Sequence, residues 1–222
     1  MWWKPDPAIT IASGSGSSPI DFVNDLGLEK DRFREIRVVL KPSLKHKLRF
    51  AYIPIEYARE GHVLQRPITF GGRSYPPNVP VSTSLEWKVY RIGYEWDVVA
   101  VRRAFIGVIA DLKYSRIDTQ LTSPIGTAAA ERKVPVPTVG GIARVYLSDY
   151  ISVTGELTGF KLERNQDFRG KLFDLDLYGH LNLTRTLAVQ VGYRKLTLDY
   201  LVDEDEGDLE LKGMYFGAVV RF

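Results

Sequence analysis

Five polar side chains occupy alternate positions in one short run: Asp174, Asp176, Tyr178, His180 and Asn182. Alternate residues of an extended strand share a face and stand about 7 Å apart. Carboxylates with an imidazole are the groups that general acid–base hydrolysis uses. On one strand, however, they lie at successive depths and cannot converge on a single substrate atom. The run therefore reads as an interior polar row, with Asp174 and Asp176 paired to arginines and His180 a satisfied polar group.

The other candidates for chemistry are weaker. The chain has no cysteine, which removes disulfides, thiolate metal sites and thiol catalysis. His46 and His62 show no HExxH-like spacing, so no metal site is expected. Ser152 and His180 lack the local context of a hydrolase nucleophile. No helix is expected after Gly71-Gly72 or Gly140-Gly141, so neither pair is a phosphate loop. The acidic run Asp203, Glu204, Asp205, Glu206 and Asp208 lacks the ordered spacing of a calcium loop and reads as a solvated hairpin. No catalytic residue and no cofactor are expected, and an enzyme is the less favoured reading.

The elements that must position these residues are strands. Residues 171–184 set Phe173, Leu175, Leu177, Gly179, Leu181 and Leu183 against the polar row, and 187–200 sets Leu187, Val189, Val191 and Tyr193 against Ala188, Gln190, Gly192 and Arg194. The same period of two recurs over 33–40, 47–58, 84–97, 104–117, 137–147, 150–162 and 209–222. Pro54 cannot donate to a ladder and is expected to mark a bulge. Short connections near 41–46, 98–103, 148–149 and 185–186 alternate with long ones near 13–31, 59–83, 118–136, 163–170 and 201–208. A small hairpin is expected around residues 68–75 and one short helical turn within 20–31. For the last strand to end on the short-turn side, Trp2–Ala12 must be a tenth strand, pairing with the last.

Length and composition fit this pattern. The 222 residues suit one β domain spanning 1–222, and no apolar run is long enough for a transmembrane helix. A net charge of +3, with Lys and Arg spread along the chain, gives no sign of nucleic-acid binding. No secretory signal is legible in Met1–Pro5, so an exported chain is expected either to be numbered after its signal or to have its first strand cut into.

Alternation alone does not say which face points inward, and a soluble lipocalin-like ligand-binding barrel has the same period. Strands of about 12–14 residues exceed the roughly 9–11 needed to cross a membrane. Aromatics such as Tyr94, Trp96, Tyr114, Tyr193 and Phe222 lie near strand ends on the apolar face. Glycines and tyrosines, among them Gly93, Gly192, Tyr146, Tyr178 and Tyr215, share the polar face, as a crowded interior requires. These features favour the apolar face outward. The interior then carries Arg37, Arg49, Arg91, Lys113, Arg144, Arg194 and Arg221 against Glu95, Asp111, Glu156, Asp174 and Asp176, with His180 among them. Such a nearly balanced set fills the interior as a polar plug and leaves at most a narrow channel.

The terminal GMYFGAVVRF, with Phe216 and Phe222, resembles the last strand of bacterial outer-membrane β-barrels. The whole chain resembles the broad group that includes the OmpA-like transmembrane domain. It departs from the eight-stranded members in having ten strands, with eight as the alternative count. No attached periplasmic domain is expected, so a peptidoglycan-binding role is not carried over. The resemblance implies a closed antiparallel up-and-down barrel in a bacterial outer membrane, with short periplasmic turns and long extracellular loops. It further implies outer-membrane lipids and lipopolysaccharide as surroundings. Phe216 and Phe222 would then form the signal read by the barrel-assembly machinery. The expected protein is a monomer with a structural or surface-interaction role; a barrel enzyme acting on outer-membrane lipid or peptide is the alternative.

Overall fold

In the computed structural model the described residues are all but 14–16, 166–167 and 203–204, and the side chains of 163–165, 168 and 202 are also left aside. The short N-terminal strands are β1 (Trp2–Trp3), β2 (Asp6–Ala12), β3 (Ile20–Asp21), β4 (Phe33–Arg34) and β5 (Ile36–Leu40). After β6 (His46–Val63), the hairpin β7 (Ile68–Phe70) and β8 (Arg73–Tyr75) precedes seven long strands. These are β9 (Pro80–Val101), β10 (Ala104–Ser123), β11 (Gly126–Tyr146), β12 (Ile151–Asn165), β13 (Phe168–Asn182), β14 (Leu187–Val202) and β15 (Asp205–Val220). No helix occurs among the described residues.

The long strands form one antiparallel sheet in sequence order, continued from β9 to β6 and β5. At the other end β15 pairs with both β1 and β2, as expected for Trp2–Ala12. Trp2 and Trp3 also pair with Arg34 and Phe33, so β1 lies between β15 and β4. Ion pairs described below link strands that are far apart in this order, so the sheet is curled around its buried face.

Three expected long loops are instead paired strand. β10 and β11 stay in register to Ser123↔Gly126, through residues read as loop 118–136. β12 pairs with β13 to Asn165↔Phe168, and β14 pairs with β15 to Val202↔Asp205. The acidic-loop residues Asp203 and Glu204 lie outside the described residues. The 59–83 connection is shortened from both sides, and its small hairpin is present, turning at Gly71 and Gly72 with φ of 56° and 72°. Two successive positive φ values suit the primed turn of a two-residue hairpin, which glycine adopts without strain. Within 20–31, single-turn bonds run from Asp25 N to Asp21 O and Gly27 N to Val23 O.

No bulge forms at Pro54, which pairs in register with Lys88; the register shifts between Arg59 and His62. β5 pairs with β6 only up to Tyr52. The N–H that Pro54 lacks therefore faces an edge that β5 has already left.

The far ends of these strands read as loop because their polarity inverts part-way along. On β9 the buried face carries Val81, Leu85, Trp87 and Val89, then Arg91, Glu95 and Asp97. Its outer face carries Glu86 and Lys88, then exposed Tyr90, Ile92, Tyr94, Trp96 and Val98. β15 repeats the scheme, with Leu209 and Leu211 buried and Met214, Phe216 and Val220 exposed. The molecule thus has one tier with an apolar inside and polar outside, and another with these reversed. The question of which face points inward has opposite answers in the two tiers.

Two connections fold over the apolar tier. Phe22, Leu26 and Leu28 from one, and Leu64, Ile68, Phe70 and Tyr75 from the other, join its core. Tyr75 donates to Leu121 O at 3.2 Å, and Gly71 N donates to Ser13 O at 3.1 Å. Arg66 binds Asp25 through Nε at 2.8 Å and Pro19 O at 3.0 Å, tying the two connections together.

Candidate functional site: the interior charge network

The polar tier is built by strand parity. Every second residue from five or more strands points to the same interior, and in this tier those residues are charged. Asp174 is the centre of one group. Arg194 grips it through Nε at 2.9 Å and Nη2 at 2.8 Å, and Lys113 Nζ lies 2.6 Å away. Arg194 also reaches Glu35 at 2.9 Å, and Arg37 joins Glu35 to Asp176 at 2.6 Å. Asp176 accepts from Tyr215 at 2.7 Å, and Tyr215 accepts from Gln190 at 2.8 Å.

Glu156 is the centre of a second group. It receives Arg49 Nη2 at 2.5 Å and Arg91 Nη2 at 2.6 Å. Arg91 also stands 2.6 Å from Asp111, an ion pair without an aligned hydrogen bond. Arg49 lies 3.1 Å from Glu95, and Lys47 lies 2.6 Å from Glu95 and 2.9 Å from Asp97. All of these groups except the half-buried Arg37 are buried, so the pairing offsets a desolvation cost that no single partner would cover.

Most of the anticipated residues meet here. Arg37, Arg49, Arg91, Glu95, Asp111, Lys113, Glu156, Asp174, Asp176 and Arg194 are all in the two groups. Arg144 stands apart, bonding Thr154 at 2.7 Å and Tyr178 at 3.4 Å, with its guanidinium over the Phe105 ring. His180 is buried beside Tyr178, but its Nδ1 has no hydrogen-bond partner among the described residues. Arg221 joins neither group: it follows the last paired residue and is exposed, though its charge acts on His180. Tyr146, expected inside, is also exposed.

Glu35, Lys47 and Asp97 were not anticipated as members. Their signal was available, since each is two residues from a recognised member: Arg37, Arg49 and Glu95. With these changes the polar tier holds, among the described residues, seven basic groups (Arg37, Lys47, Arg49, Arg91, Lys113, Arg144, Arg194) and seven acidic ones (Glu35, Glu95, Asp97, Asp111, Glu156, Asp174, Asp176). Glycine makes room for them. A Cβ on Gly192 would stand 2.6 Å from the Tyr215 ring and 2.7 Å from Tyr178 Cβ.

No known protein family matches the chain, and no curated protein matches it. Among solved structures it matches the Pseudomonas putida toluene transporter TodX, with 7% identity and a TM-score of 0.34. That match covers 100% of this chain and 88% of the other. A likeness this distant carries no argument about activity.

The geometry bears on catalysis directly. Asp174 and Asp176 are each held by arginine, so neither is a free base. Ser152 faces His180 across β12 and β13, but a serine–histidine pair needs a third group to orient the imidazole. His180 Nδ1 has none among the described residues. Among the described residues no three His, Asp or Glu side chains are placed to hold a metal ion. Described members of the acidic run have other partners: Asp205 pairs with Arg132, and Glu206 lies 3.2 Å from Arg169. Phe216 and Phe222 lie on the outer surface, with Phe216 stacked against Trp2 at 5.4 Å.

Proposed function

We propose that this chain is a ten-stranded, closed β-barrel of a bacterial outer membrane, with a sealed interior and a structural or surface-interaction role. The polarity inversion carries the reading. Apolar residues on the outer face of β9 run from Tyr90 to Val98. At about 3.3 Å per residue this is roughly 26 Å along the strand, close to the 9–11 residues of a tilted membrane strand. Water would leave Ile36, Ile92, Val139 and Met214 exposed without compensation, whereas hydrocarbon solvates them. The polar-outside tier then stands clear of the membrane on the long-hairpin side.

Closure is supported by the pairing of β1 with both β15 and β4, which with β5 and β6 counts ten strands around. The balanced interior network and the two infolded connections support a plug rather than a pore. Phe216 and Phe222 serve as the insertion signal, and the barrel works as a monomer among outer-membrane lipids. The purified chain should fold into detergent micelles and migrate faster on gels unheated than after boiling. A chain soluble and monomeric without detergent would overturn the reading, and multi-state conductance in planar bilayers would overturn the plug.

A further inference from the structure

We propose that the interior at the short-turn end of the barrel binds a small, water-soluble phosphate, held by Arg144, Arg221 and His180. This rests on the barrel reading, which encloses the interior on every side but its ends. Arg144 is the base that the two ion-paired groups leave over. Its described hydrogen-bond partners are neutral, Thr154 at 2.7 Å and Tyr178 at 3.4 Å, and its guanidinium lies over the Phe105 ring.

The acids one ladder step deeper are already taken. By register these are Asp97, Glu156 and Asp176. Lys47 holds the first, Arg49 with Arg91 the second, and Arg37 the third. Toward the short-turn end, the interior rows of β12, β13 and β14 continue with Ser152, His180, Asn182 and Gln190, none of them acidic. Among the described residues, no carboxylate lies within ion-pair distance of Arg144 or Arg221.

His180 marks where the ligand lies. It is 7% exposed, yet its Nδ1 has no hydrogen-bond partner among the described residues. A buried polar atom of this kind calls for a partner, which a bound ligand supplies. The charges of Arg144, Arg221 and Arg37 all act on the imidazole, and of these only Arg37 is held by acids, Glu35 and Asp176. Two residues further on, Asn182 donates from its amide nitrogen to Asp149 O at 3.2 Å, leaving Oδ1 as an acceptor without a described partner.

The surface around this end carries the same sign. Lys41, Lys45, Arg102, Arg103 and Arg185 are exposed on the short turns, where Asp149 is the one acidic side chain among the described residues. A rim of one charge concentrates anions at the opening. Guanidinium groups match phosphate through paired N–H donors. The Asn182 acceptor needs a hydrogen, which hydrogen phosphate carries and sulfate does not. His180 and Ser152 face the interior and not lipid, so the ligand comes from water rather than from a bilayer headgroup.

The test titrates inorganic phosphate into the full chain folded in maltoside micelles, read by isothermal calorimetry at physiological ionic strength, where distant rim charges are screened. The wild type should bind phosphate saturably and about tenfold more tightly than sulfate, the worth of one hydrogen bond to a charged group. Arg144→Gln and Arg221→Gln should each weaken phosphate by about tenfold for the same reason. Arg185→Gln, on the rim, should leave the affinity almost unchanged. Absence of saturable binding, equal affinity for sulfate, or unchanged affinity in Arg144→Gln and Arg221→Gln would overturn the site. Displacement of phosphate by phosphatidylglycerol added to the micelles would overturn the soluble source. Arg144 and Arg221 belong to neither ion-paired group, so the variants should keep the barrel, and heat-dependent gel mobility checks each one. A folded barrel without bound phosphate sinks the site alone, and failure to enter micelles sinks both.

Discussion

Arg49 on β6 and Glu156 on β12 meet at 2.5 Å although β9, β10 and β11 separate their strands in the sheet. That contact passes through the interior, and Arg91 approaches the same carboxylate from β9. One acid therefore holds two walls of the curled sheet together.

Removing that acid should leave two buried guanidiniums without their shared partner. Glu156→Gln is expected to cost about 3–5 kcal/mol, the range for breaking a buried ion pair from one side. Urea unfolding in micelles, followed by tryptophan fluorescence, measures it. A loss near zero would mean that water already screens the network.

The two tiers should respond oppositely to the same kind of substitution. Leu177 is exposed on the outer wall, and Leu177→Arg should cost roughly 2–4 kcal/mol in a bilayer if it lies near midplane. Leu209 is fully buried in the apolar tier, and Leu209→Arg should destabilise the protein in micelles and bilayers alike. Unfolding in vesicles and in micelles separates the cases. Equal sensitivity of Leu177→Arg in both would place it away from lipid.

Two aspartates outside the apolar band should give opposite pH dependence. The hydrogen bond from Arg66 holds Asp25 below its ordinary value. Its contribution is therefore present above the unfolded aspartate value, about pH 4, and is lost as pH falls through the folded value. Burial and the facing Asp199 carboxylate push Asp208 upward, so Asp208 favours the folded state when protonated and opposes it as pH rises. Asp208→Asn should raise the unfolding temperature at neutral pH and lose that advantage in acid. Arg66→Gln should do the reverse, lowering stability at neutral pH and becoming silent in acid. Thermal melts of both variants across this range check the signs.

Phe222 is exposed and its side chain supports no core packing, so Phe222→Ala should leave refolding into micelles unchanged. If it is the insertion signal, the amount of assembled barrel in the outer membrane of cells should fall several-fold. Equal assembly in cells would remove that role.

Parity is a local property, and the sequence by itself determined it. Period two in 171–184 places Asp174, Asp176, Tyr178 and His180 on one face whatever the strand pairs with. The same arithmetic located Arg37, Arg49, Arg91, Lys113 and Arg194, and would have located Glu35, Lys47 and Asp97. The alternation of short and long connections placed Trp2–Ala12 beside the last strand. Which polarity that face carries along its length depended on the tertiary structure. The outer face turns from apolar to polar part-way along the long strands, so residues 118–136 look like loop by composition yet pair as strand. Parity put Arg221 on the same side as His180, on which its charge acts, but the ladder ends at Val220 and Arg221 joins neither ion-paired group. The contact of Arg49 with Glu156 comes from curling a sheet until distant strands face each other. It leaves no trace in the spacing of residues along the chain.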